Sequence, residues 1–169
     1  MGLLVLLALA LLAVAVPDAA PHVLAIDRHP PDLFVALAAY LALRGRGYQA
    51  VPFAMGLGAL KDCASLDPLG THAFVLGTVA FLLSSGRDRA GQVRGVTRAL
   101  AVGAAGALAH VLYLVRSIPV TGTLPPMSGL LDGLPIGLWT AAFAAPLLAL
   151  LDKTGALDDL AGRPRGLSP

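Results

Sequence analysis

The stretch LKDCASLDPLGTHAF (60–74) puts Lys61, Asp62, Asp67 and His72 between long apolar runs. Two carboxylates five positions apart across a proline turn could approach and share a proton, the arrangement by which aspartic proteases separate acid from base. Lys61 supplies Asp62 with an opposite charge next door. Asp67, just ahead of Pro68, could face the free amides of the helix that follows, a favourable place for a negative charge. His72 falls in the first turn of that helix. No motif sets a histidine beside Ser65 or Cys63 as a base would be set beside a nucleophile, and no glycine-rich phosphate loop is present. His72 and His110 lack a carboxylate partner at helical spacing, so neither predicts a metal site. Lipoprotein signal peptidases are of similar size, but their Asn- and Asp-containing motifs are missing, and the chain has no Asn. Three roles remain for the stretch: a charged loop anchoring two helices, a contact surface, or catalysis.

The elements that must position these residues are apolar. Of 169 residues, 57% are hydrophobic and 13% charged, about half the charge of a soluble domain. Mean hydropathy is +0.79. That leaves too little polar surface to face water on all sides, and the reading is an all-α integral membrane protein. The pI near 9.0 reflects a net charge of only +2, without the basic patch and interleaved aromatics of a nucleic-acid binder. A single cysteine, Cys63, excludes an internal disulfide and a cysteine-based zinc site. All ten acidic residues are aspartates.

Six apolar segments can be drawn, at 2–16, 31–43, 49–60, 69–85, 99–115 and 134–151. The first is read as a retained span rather than a signal peptide, because no Lys or Arg precedes it. Residues 1–151 then form one transmembrane helical domain and 152–169 a polar tail. The segments 44–49, 86–98 and the tail carry nine of the twelve basic residues; the alternating side carries Arg28, Lys61 and Arg116. The positive-inside rule places the nine in the cytoplasm. Six spans with both termini inside follow, and the 60–68 and 116–133 loops face outward.

Segments 31–43 and 49–60 are shorter than the ~20 residues a straight span needs, so both are expected against other helices rather than wholly in lipid. Pro31 and Asp32 make a credible helix start. Residues 63–68 read as a tight turn, because Pro68 disfavours helix at Asp67. Pro52, Gly56 and Gly58 make 49–60 either closely packed or irregular. Ala99, Gly103 and Ala107 fall four apart, as do Gly133 and Gly137, spacings that let helix backbones approach. His110, with Tyr113 on the same face, is expected to bond a neighbouring carbonyl.

Two stretches resemble the rod-shape-determining protein MreD family of bacterial inner-membrane proteins: HPPDLFVALAAYLALRGR (29–46) and FAMGLGALKDCASLDPLGTHAFVLG (53–77). The positions that match the family pattern are Pro31, Asp32, Tyr40, Gly56, Asp62, Ser65, Leu69 and Gly70. Lys61 and Asp67 depart from it: Lys61 stands where an apolar residue is usual, and Asp67 is an added charge. The resemblance implies a non-enzymatic scaffold, without cofactor, in the machinery that builds the lateral cell wall. It also implies partners: an MreC-like protein, the MreB filament, RodA and a class B penicillin-binding protein. The implied fold is similar to the six-helix S-component of energy-coupling-factor transporters. That similarity brings a rival function, capture of a small solute in an outward pocket, for which polar lining residues are sparse: the chain has no Asn and no Glu.

Overall fold

The computed structural model describes residues 31–45, 48–65, 67–90 and 96–154. The expected first span (2–16) and all but the start of the tail lie outside them. Among the described residues, every regular element is helical.

The first helix, α1 (Leu33–Arg44), starts as its sequence suggests. Asp32 is extended, and its Oδ1 accepts from the Val35 amide at 3.1 Å, satisfying one of the amides every helix start leaves unpaired. The run LFVALAAYLAL is apolar all round, the pattern of a helix enclosed by others. Phe34 through Ala42 are each at most 7% exposed, and α1 packs against α2 (Ala50–Ala64), α3 (Thr71–Ala90), α4 (Val96–Thr121) and α6 (Gly133–Thr154). At about 1.5 Å per residue α1 is only about 18 Å long. Its enclosure resolves that shortfall, because helices rather than lipid surround its ends. Arg87 closes its far end by donating from Nη1 to the Ala42 and Gly45 carbonyls, groups a helix terminus leaves free.

The second short segment also packs against other helices, but on one face only. It forms a regular 15-residue α2, with Pro52 harmless in the first turn. Phe53, Met55 and Gly56 face outward, while Ala54, Gly58 and Asp62 are buried. Gly58 lies directly against α3: a methyl group added there would sit 2.4 Å from the His72 carbonyl oxygen. Because α2 runs on to Ala64, the turn starts at Ser65 rather than Cys63.

Helices α4 and α6 pair through their small residues. A methyl group at Gly137 would come within 2.5 Å of the Gly103 carbonyl oxygen and 3.1 Å of the Ala107 side chain. The Ala/Gly spacing in 99–107 and 133–137 is therefore an internal seam. A five-residue α5 (Met127–Leu131) precedes α6.

Two helical stretches, Val96–Pro119 and Met127–Leu151, are long and apolar enough to cross a membrane, with hydropathy 1.6 and 1.9. Only 28% of each is buried inside the protein. Apolar faces of that extent suit hydrocarbon better than water.

Candidate functional site

The 60–74 stretch folds into a corner whose charges are spent on the protein itself. Asp62, in the last turn of α2, is 2% exposed. Its Oδ2 accepts from the Gly70 amide at 3.0 Å and the Ala73 amide at 3.2 Å. Its Oδ1 accepts from the His72 amide at 2.8 Å and lies 2.9 Å from His72 Nδ1. One carboxylate thus caps the start of α3 from a neighbouring helix, where free amides and the helix dipole favour negative charge. Gly70 makes this approach possible: its φ of +89° is one that side-chain-bearing residues rarely adopt. Thr71 closes the turn, its amide and hydroxyl both donating to the Pro68 carbonyl, at 3.2 and 2.8 Å.

Two expectations are corrected here. Asp62, not Asp67, faces the amides of α3, because the extension of α2 carries its side chain under them. Lys61 is paired with Asp32 rather than with its neighbour: Lys61 Nζ donates to Asp32 Oδ2 at 2.6 Å. Adjacent residues on a helix point about 100° apart, so Lys61 turns toward α1 while Asp62 turns toward α3. The ammonium also stands 5.7 Å from the Phe34 ring centroid. Asp32 is held a third way, its amide donating to Thr140 Oγ1 at 3.0 Å. The start of α1, the end of α2 and the middle of α6 are thereby tied together.

Asp67 lies on the outer side of this knot. Tyr113, on α4, donates its hydroxyl to Asp67 Oδ1 at 2.8 Å, and its ring stacks on His72 with centroids 5.5 Å apart. His72 Nε2 stands 3.8 Å from Asp67 Oδ2. His72 therefore sits between two carboxylates, reached across the turn rather than at helical spacing.

The structure gathers Pro31, Asp32, Lys61, Asp62, Ser65, Asp67, Pro68, Leu69, Gly70 and His72 around one corner. Ser65 stays there through its hydroxyl, which donates to the Asp62 carbonyl at 3.4 Å. Pro68, Leu69 and Gly70 form its exposed tip, Leu69 being 78% exposed. Tyr40 and Gly56 do not belong to it: Tyr40 is buried about 12 Å further along α1, and Gly56 is exposed on α2 with nothing within 4 Å of an added methyl. His110 bonds a carbonyl, as expected, with Nε2 2.9 Å from Gly129 O. The partners that sequence reasoning missed are Tyr113 and Thr140, which lie 46 and 108 positions from Asp67 and Asp32; no local pattern signals contacts that distant. Among the described residues no three His, Cys or Asp side chains converge as metal ligands. Compared with known proteins, the chain matches no family model, no curated protein and no solved structure.

Proposed function

We propose that this chain is a non-enzymatic scaffold of a bacterial inner membrane, with six spans and both termini cytoplasmic. In this reading it serves the cell-wall elongation complex as an MreD-like subunit that holds an MreC-like partner and supports the peptidoglycan synthase. The observation that carries the proposal is the state of the corner. Each of its charged side chains has a partner within the protein, and its exposed tip is the Pro68-Leu69-Gly70 turn, with Leu69 presented outward. A preorganised apolar tip on a polar base is a contact surface in form, because a partner need not first order the loop it touches.

The same geometry weighs against the protease alternative. Two aspartates acting as a dyad must face each other and share a proton. Here both Asp62 oxygens are taken up by three amides and His72, whose ring stands between Asp62 and Asp67.

Leu69→Ser tests the proposal. Expressed with an MreC-like protein in bacterial membranes, the variant should lose most co-purification while melting at the wild-type temperature. Retention equal to wild type would remove the corner from the binding surface. The solute-binder alternative separates on thermal melts against vitamins and divalent metals, since a ligand at 100 times its Kd adds about 2.7 kcal/mol. A scaffold shows no such gain.

A further inference from the structure

We propose that the gap between His72 Nε2 and Asp67 Oδ2 is a proton-operated latch, which fastens the 67–70 turn to α3 when one proton occupies it. The inference holds whether or not the turn meets a partner, and it begins with the tautomer of His72. Asp62 accepts three amide hydrogens and has none to give, so the 2.9 Å contact with Nδ1 needs the ring hydrogen on Nδ1. A neutral ring then carries a bare lone pair on Nε2. That lone pair faces Asp67 Oδ2 at 3.8 Å, beyond the 2.7–3.2 Å of an N–H···O bond. Two acceptors pointed at each other have nothing to hold them together.

Both sides of the gap are nevertheless held in place. Asp62 fixes the ring from behind, and Tyr113 fixes the Asp67 carboxylate through its other oxygen at 2.8 Å while stacking on the imidazole. One proton from water, taken up in the gap, converts the opposed lone pairs into a charge-assisted hydrogen bond, and closure requires a shift of about 1 Å. The groups around it permit this. From α1 comes Asp32 and from α2 Lys61, which bind each other; α2 also contributes Asp62, the turn Asp67 and α4 Tyr113. His110, on α4, is turned to the Gly129 carbonyl. A protonated His72 would thus lie between two carboxylates, while Lys61 is already paired with Asp32.

The latch would make the exposed Leu69 tip stiffer on the acid side. The full chain in detergent micelles, with isotope-labelled histidine, tests this by NMR from about pH 8 to pH 5. The expected result is a neutral His72 with hydrogen on Nδ1 at the alkaline end, then protonation at Nε2 together with a shift of the Leu69 amide signal. An alkaline form with hydrogen on Nε2 would overturn the proposal, and so would a Leu69 signal indifferent to the His72 titration. Thermal melts supply the second reading. Asp67→Asn keeps an acceptor for Tyr113 but removes the charge that closes the latch. The wild-type protein should gain about 2–4 °C over this variant on going from pH 8 to pH 6. An equal acid response in both proteins, or none in either, would refute the latch. Stabilisation of the wild type by zinc without any proton effect would also refute it, and would reassign the gap to a metal.

Discussion

Replacing Asp62 with alanine should destabilise this fold more than any other single change in the corner. The substitution removes the acceptor of three amides and of the His72 ring, at distances from 2.8 to 3.2 Å, in a site where Asp62 is 2% exposed. Hydrogen bonds to a charged group contribute about 1.5–3 kcal/mol each, so a simple sum over four would run to about 6–12 kcal/mol. That sum overcounts, because Gly70 is exposed and its amide recovers a water. Loss of an ordinary helix cap, about 0.5–2 kcal/mol, undercounts, because the His72 donors are left without water. The expected loss lies between these, at about 3–5 kcal/mol. For a chain of this size, 1 kcal/mol moves the melting temperature by about 2–4 °C, so the fall should be about 6–20 °C. The assay is thermal unfolding in one detergent, read by helical circular dichroism. Asp62→Asn, which keeps one acceptor oxygen, should fall in between. An Asp62→Ala protein melting within about 2 °C of wild type would refute the account of the corner as the cap of α3.

Gly58→Ala should cost about 1–3 kcal/mol or more, because its methyl would meet the backbone of Ala73 and His72 at 2.4 Å. Gly56→Ala, two positions away with open space around it, should melt at or slightly above the wild-type temperature, so the pair reads helix contact against helix propensity. Lys61→Met breaks the 2.6 Å pair with Asp32; both groups are about one-quarter exposed, so the loss should stay near 1 kcal/mol or below and shrink in high salt. Gly137→Ala should weaken the α4–α6 seam, since the new methyl would lie 2.5 Å from the Gly103 carbonyl oxygen, and a fall of several degrees in the melt checks it.

Much of the architecture was legible in order. Apolar runs bounded by Pro, Gly and charged residues located the helices at 31–43, 69–85 and 99–115, because composition and chain punctuation are local properties. The start of α1 at Asp32 was readable for the same reason: a cap makes its demands on one or two residues. The end of α2 was not. The polar run KDCAS reads as a loop, yet the helix continues through it because Lys61 and Asp62 find partners on α1 and α3.

Residue identity alone thus determined that this is a helical, lipid-compatible chain with one unusually charged corner. Which charge answers which was decided only by the tertiary structure. Lys61 and Asp62 are neighbours in sequence, but the helical rotation of about 100° per residue sends them to different helices. Tyr113 and Thr140 reach the corner only because α4 and α6 pack closely through glycine. Hydrogen bonds act over about 3 Å in space and are blind to separation along the chain, so pairings across 46 or 108 residues leave no periodicity for a sequence to display.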